Sequence, residues 1–459
     1  MSAKKSVMHV LSHTHWDREW YQDFQGYRQR LVFQMDAMMD LLEERPEYRY
    51  FHLDGQTCLL DDYMEVRPGG RARLEKHIRS GRILIGPWFV MPDERLLSGE
   101  SMVRNLLLGH ALCRAWGGKP MPIGYVTDVF GHVSQLPQIL GGFGIDTAML
   151  HRGTSCAREK SEMVWEGADG TRTLLLAVYQ YTGYNDFVTF REWNDDQLRD
   201  YEKIKLGLAT TDVLFALDGN DHQPAWWDVP EEFARVNKVF AGIRCVHSSM
   251  PRFLAALRKA LGSRWTRGRK RFVGELTTPA KEGQWSHTMC GFGSSRFYLK
   301  QANDELEILL PRVAEPLHAW SLVLGGPSQK GFLDKAWRYL LLNHPHDSIC
   351  GCSIDQVHRD MVYRFDQARL LGVNSAWESI QTITRGNRLT GGPGEKSVVT
   401  LFNPADSDSG PVARFSIDIA AAADAPADLV PVLTDAAGVE VPLETISIER
   451  RVRTEPFTF

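Results

Sequence analysis

Val7–Ser12 is a short apolar run that ends in a cluster of polar and ring-bearing residues, His13 to Trp20. That is the pattern of a buried strand delivering functional groups at its C-terminal end. Arg82–Trp88, Gly124–Thr127 and Val213–Leu217 repeat it, each short, apolar and followed within a few residues by Asp or Trp. Between them lie helix-like stretches such as Arg28–Glu44, where Leu31, Val32, Met35, Met38, Met39, Leu41 and Leu42 fall at three-to-four spacing. Alternating strands and helices predict a parallel α/β domain over roughly residues 1–285, with its chemistry at the strand C-terminal ends.

After Gly291–Gly293 the period changes. Ser295–Leu310, Ala314–Leu324, Phe332–Asn343 and Ile354–Leu371 read as helices joined by short loops, a small bundle assigned to 291–385. Pro311, Pro316, Gly325-Gly326-Pro327 and the Cys350–Cys352 turn act as breakers. From about Gly386 the composition shifts to Gly, Pro, Ala and Asp, with short alternating strands expected at Val398–Phe402 and Phe415–Ile419. Residues 390–459 therefore read as the start of a β-domain, cut before enough strands appear to close it.

Composition narrows the function classes. Of 459 residues, 43% are hydrophobic, 24% charged and 10% aromatic, the balance of an ordinary globular protein. Lys and Arg number 53 against 57 Asp and Glu, a net charge of −4, which gives no electrostatic footprint for nucleic acid or an anionic membrane. A neutral substrate suits this balance. The N-terminal apolar stretch is interrupted by His9 and His13, too short for a signal-peptide core, and no long apolar span follows. Seven cysteines, an odd number scattered without framework spacing, fit a reducing cytoplasm.

Four segments carry candidate chemistry. In His13-Thr14-His15-Trp16-Asp17, an extended backbone would put His13, His15 and Asp17 on one face, imidazole and carboxylate suited to a divalent metal such as zinc. A polar strand end with hydrogen-bonded histidines is the plainer alternative. Asp128, in Thr127-Asp128-Val129-Phe130-Gly131-His132, follows a predicted strand and faces the expected cleft, or else caps a helix. Asn343 to Cys352 sets His344, His346 and Asp347 beside Cys350 and Cys352, which could hold a metal in several ways, including a structural zinc on the thiols and histidines. Asp218-Gly219-Asn220-Asp221-His222 offers a general acid or base, or a simple turn.

In combination these segments resemble glycoside hydrolase family 38, the α-mannosidases, particularly bacterial members. The resemblance runs from about His9 to Leu371 through HTHWDREW (13–20), DGQTCLLDDY (54–63), GPWFVMPDE (86–94), TDVFGH (127–132), NDH (220–222), SSRFYLKQAN (294–303) and NHPHDSICGCS (343–353). It implies an N-terminal (β/α)-barrel-like domain with a parallel sheet, then a helical bundle and a β-rich region. It further implies zinc, or another divalent ion such as cobalt, on His15, Asp17, Asp128 and His346, with His13 a neighbour. Asp128 would also be the nucleophile and Asp221 the general acid/base, Asp218 standing close by as its rival. Trp88, Asp93, Tyr181 and Asp347 would line the sugar site.

A retaining glycosidase needs two carboxyl groups about 5–5.5 Å apart, one attacking the anomeric carbon and one protonating the leaving oxygen. The expectation is a cytoplasmic exo-acting α-mannosidase taking terminal α-mannose, with homo-oligomerisation left open. Three rivals are a mannosylglycerate hydrolase, a zinc-dependent deacetylase and an inactive truncated sugar-binding fragment. An acidic aglycone, acetate as product, and absence of turnover by the folded, metal-loaded protein would mark them respectively.

Overall fold

The structure is a computed structural model that describes residues 5–154, 160–178, 182–263, 265–277, 287–289, 291–385, 399–403, 432–435, 437–444 and 446. Residues through Ile380 form one compact unit and Gln381–Phe459 a second.

The apolar run at the N-terminus is the organising strand, β1 (Ser6–Thr14), whose residues from Val10 onward are all buried. In chain order there follow β2 (Phe51–Leu53), β3 (Ile83–Leu84), β4 (Gly124–Val126), β5 (Thr147–Leu150), β6 (Glu162–Glu166), β7 (Arg172–Ala177), β8 (Val213–Asp218), β9 (Ile243–His247) and β10 (Arg271–Val273). One sheet runs β3-β2-β1-β8 with β9 also on β1, every pair parallel. The other runs β10-β6-β7-β5-β4, parallel except for the β6–β7 hairpin. Helices between the strands bury the sheet faces, the α/β architecture with parallel sheets expected from the sequence.

The first helix, Phe24–Glu44, begins where the Asp23 side chain accepts a bond from the Gly26 N–H at 2.9 Å. It buries Tyr27, Leu31, Val32, Met35, Met38, Met39, Leu41 and Leu42, and each fully buried Leu, Val or Met contributes roughly 1.5–3 kcal/mol. The expected strand Arg82–Trp88 is shortened to Ile83–Leu84, because Gly86 and Pro87 interrupt the ladder.

The helical part contains Phe297–Leu309, Glu315–Val323, Lys330–Leu341 and Asp355–Ile383, the last continuing well beyond Leu371. Leu299, Leu306, Leu340, Val357, Met361, Phe365 and Ala368 share one core. Polar contacts also tie these helices to the α/β part. Arg104 pairs with Glu315 at 2.7 Å, and Trp337 donates its indole N–H to the same carboxylate at 2.7 Å.

In the second unit, Leu433–Thr434 and Glu440–Val441 form an antiparallel pair around a turn capped by Asp435. Residues 399–402 of the expected strand Val398–Phe402 lie outside any strand. Phe415–Ile419 falls outside the described residues.

Candidate metal centre at the strand ends

β1 and β2 pair in register, His13 opposite His52 and Thr14 opposite Leu53. The next step along both strands therefore sets Asp54 beside His15. Asp54 Oδ2 lies 3.0 Å from His15 Nδ1 and accepts bonds from the Trp16 N–H at 2.8 Å and Gln56 Nε2 at 2.9 Å. On the other side of β1, the segment after β8 continues the parallel pairing. His15 N–H donates to Asn220 at 3.2 Å and His222 N–H to His15 at 2.9 Å, which places Asp221 opposite His15. Gly219 makes this approach feasible, because a Cβ there would lie 2.1 Å from the His13 carbonyl oxygen.

His346 arrives from the helical part. It opens the short helix His346–Cys350, its N–H bonded to Met91 at 3.1 Å, while Pro92 and Pro345 form an antiparallel bridge. These contacts bring His15, Asp17 and His346 together, with ligating atoms within 4.8 Å of one another. Asp17 Oδ1 lies 3.2 Å from His15 Nε2 and 3.4 Å from His346 Nε2. Asp128 stands at the edge, its Oδ2 3.8 Å from His346 Nε2 and its Oδ1 held by Arg152, whose Nε is at 3.0 Å.

His15 Nε2, Asp17 Oδ1 and His346 Nε2 are buried and make no hydrogen bond. Orphaned buried polar atoms are costly and rare, and three of them converging is the signature of a donor set for a cation. Imidazole nitrogen with carboxylate oxygen suits zinc and related divalent ions, and an outer carboxylate fixing a ligand imidazole, as Asp54 does for His15, is a frequent companion. The electrostatics agree. Burial opposes charge on His15, yet Asp54 and Asp17 outweigh it and raise its pKa well above the usual value. Burial likewise opposes charge on Asp17, but His15 and His222 hold it well below the usual carboxylate range. A site that favours positive charge this strongly suits a divalent ion.

Burial would also raise Asp128, but the Arg152 guanidinium outweighs it and keeps the carboxyl ionised. Asp221 differs. Burial pushes it up, the negative charges of Asp17 and Asp128 add to this, and His15 and a 2.6 Å bond from the Tyr184 hydroxyl oppose it. The two carboxyl groups are thus set apart, one ionised and one biased towards its acid form. Asp128, Asp54 and His222 also adopt left-handed backbone angles, φ 60°, 44° and 52°. Non-glycine residues in that region concentrate at functional sites.

The remaining sequence candidates are distributed unevenly. His13 is engaged elsewhere, its Nε2 2.9 Å from the Tyr184 carbonyl oxygen and its Nδ1 3.3 Å from the Tyr125 hydroxyl. Asp218 accepts from Ser12 at 2.8 Å and pairs with Arg191 at 3.2 Å, apart from the His15 group. Asp93 is buried, its Oδ2 is unpartnered, and burial pushes its pKa up to about 7. Asp347 Oδ2 lies 3.8 Å from His346 Nε2. Trp88 is fully buried in the hydrophobic core and donates its indole N–H to the Tyr125 carbonyl oxygen at 2.8 Å. Tyr181 lies outside the described residues. Tyr184, Arg152 and the His15-orienting role of Asp54 were not singled out from the sequence. Tyr184 packs its ring 5.4 Å from that of His15.

Comparison with known proteins fits this geometry. The family profile described as the glycosyl hydrolases family 38 N-terminal domain matches residues 5–275, and that of the alpha mannosidase middle domain matches 287–383. A Halalkalibacterium halodurans protein provisionally named mannosylglycerate hydrolase is 37% identical over 381 residues, covering 79% of this chain and 41% of that protein. Alpha-mannosidase 2C1 of Mus musculus is 26% identical over 378 residues, covering 80% of this chain and 34% of that protein. The crystal structure of an alpha-mannosidase from Enterococcus faecalis V583 superposes with TM-score 0.76 at 35% identity, covering 83% of this chain and 43% of that one. The chain thus spans less than half the length of each of these relatives.

Proposed function

The chain belongs to glycosyl hydrolase family 38, and from that premise we propose that it supplies the metal-holding catalytic part of a retaining α-mannosidase. The observation that carries the proposal is the convergence of the buried, unpartnered atoms His15 Nε2, Asp17 Oδ1 and His346 Nε2 beside Asp128. His15, Asp17, His346 and Oδ2 of Asp128 would hold the ion, zinc by the chemistry of the donors. When bound, it supplies an orienting Lewis-acid template for vicinal sugar hydroxyls, such as the cis 2- and 3-hydroxyls of mannose.

The chain's own residues do the rest. Asp128, kept ionised by Arg152, attacks the anomeric carbon and forms the glycosyl-enzyme bond. Asp221, its pKa raised by burial, gives its proton to the departing oxygen and then takes one from the attacking water. Tyr184 orients Asp221 through its hydroxyl. Asp93 and Asp347, buried at the rim of the donor set, accept bonds from sugar hydroxyls.

Residues 1–285 are read as the catalytic domain and 291–385 as the middle domain that lends His346. A cytoplasmic location is part of the proposal and accords with the free thiols of Cys58, Cys113, Cys245, Cys350 and Cys352. No helix among the described residues is long and apolar enough to cross a membrane.

A second reading, hydrolysis of mannosylglycerate, is favoured by the 37% identity to the Halalkalibacterium protein. Proton NMR of the reaction tests both. Release of α-mannose as the first-formed anomer from an aryl α-mannoside supports a retaining α-mannosidase, and β-mannose would exclude retention. Marked preference for mannosylglycerate over the aryl mannoside would select the second reading.

A further inference from the structure

Next to the His and Asp donor set lies a group of different chemistry. A carboxylate oxygen of Asp347, Cys350 Sγ and Cys352 Sγ lie within 4.8 Å of one another. The short helix His346–Cys350 ends at Gly351, whose left-handed φ of 84° turns the chain so that both sulfurs fall on the Asp347 side. Cys352 donates its S–H to Asp347 Oδ1 at 3.1 Å, and the thiols of Cys350 and Cys352 approach the Asp347 carbonyl oxygen at 3.6 and 3.7 Å. Lys300 secures the turn by donating to the Cys350 carbonyl oxygen at 2.8 Å. Cys350 is buried and Cys352 exposed, so the group has a fixed inner ligand and an entry path for an ion.

We propose that Asp347, Cys350 and Cys352 form a second metal site, for a thiophilic divalent cation, and that its occupation inhibits the enzyme. Two sulfurs and one oxygen select softer ions than the nitrogen and oxygen donors of the first site. Three protein ligands leave a position for water, unlike the closed four-ligand structural zinc site considered from the sequence. Binding replaces both thiol protons, which pass to solvent. Asp347 links the two sites, Oδ1 towards the thiols and Oδ2 3.8 Å from His346 Nε2. An ion on the thiols fixes this carboxylate away from the sugar, and the inhibitory step rests on the sugar-binding role proposed above for Asp347.

The test is titration of the metal-loaded protein with Cd2+, reading the sulfur-to-cadmium charge-transfer absorbance together with aryl mannosidase activity. The first site contains no sulfur, so cadmium exchanging there produces no such band. The expected result is a band saturating at one equivalent with parallel loss of turnover, both absent in Cys352→Ser and in Cys352→Ala. Cys352 is exposed, so these variants keep the core intact. No thiolate band, or one unchanged in both variants, would overturn the site. A band without loss of turnover would overturn the inhibition. If the protein shows no mannosidase activity at all, the functional reading fails, while the band still decides whether the site exists.

Discussion

His15 and Asp54, both fully buried, are joined by a 3.0 Å contact between imidazole Nδ1 and carboxylate Oδ2. The contact directs Nε2, the other ring nitrogen, at Asp17 and His346. Losing an outer carboxylate of this kind typically costs about 10–100-fold in metal affinity. Asp54→Ala is therefore expected to weaken metal binding by about that factor while leaving all inner donors in place, as measured by competition with a chromophoric chelator. Unchanged affinity would remove Asp54 from the site.

Asp54 also shows how far the sequence could be read. The apolar run Val7–Ser12 made the central strand legible, and with it a pool of histidines and aspartates at its end. Asp54 sits in a recognisable motif, but its partner is 39 residues away, and only the register of β1 with β2 joins them. Arg152 follows β5 without any local signature. Trp88 has the composition of a sugar platform and the position of a core residue, a distinction that burial alone makes. Tyr184 lies three residues from the candidate Tyr181, in a loop where periodicity says nothing about which ring faces inward. The helices were easier because each repeats its apolar positions over several turns.

Tyr184 donates to Asp221 at 2.6 Å, which favours the carboxylate and lowers the acid's pKa against the raising effect of burial. With Asp221 in the acid role proposed above, activity should fall as pH rises through that pKa. Tyr184→Phe removes the bond, so the alkaline limb of kcat/KM is expected to move to higher pH. A limb that stays or moves down would show that Asp221 is not the group titrating.

Glu19 and Arg364, both buried, pair at 2.6 Å, and Ser348 adds a bond to the same carboxylate at 2.8 Å. The pair ties the loop carrying Asp17 to the helix Asp355–Ile383. Removing one member of a buried pair strands the other charge, typically at a cost of about 3–5 kcal/mol. Glu19→Ala should lose stability of that order in urea unfolding, and Glu19→Met with Arg364→Met should recover most of it. Equal losses in the single and double variants would contradict this.

Two histidines, His52 buried and His247 half-buried, are committed to the neutral form. His52 Nδ1 donates to the Ser12 carbonyl oxygen at 2.7 Å, and its Nε2 accepts the Met250 N–H at 3.0 Å. His247 Nδ1 accepts the Arg49 N–H at 3.1 Å. Burial lowers their pKa values to about 3 and about 4. With folded values below the unfolded value, the unfolded chain binds more protons, so this stability is full above about pH 6.5 and is lost as pH falls towards 4 and 3. At about pH 5 each histidine should cost on the order of 2 kcal/mol relative to neutral pH. Urea midpoints at the two pH values measure it, and His52→Gln should show a shallower dependence. An equal slope in that variant would rule out His52 as a source.

The most direct test of the metal centre is the metal content and aryl α-mannosidase activity of His346→Ala beside the wild type, with circular dichroism to verify folding. The wild type is expected to carry one divalent ion per chain, at a site to which His346 lends Nε2 from the helical part, and to lose activity when the ion is chelated. The variant is expected to fold, to lose most of its metal and to be inactive. A folded His346→Ala protein that retains its full complement of metal would contradict the centre described.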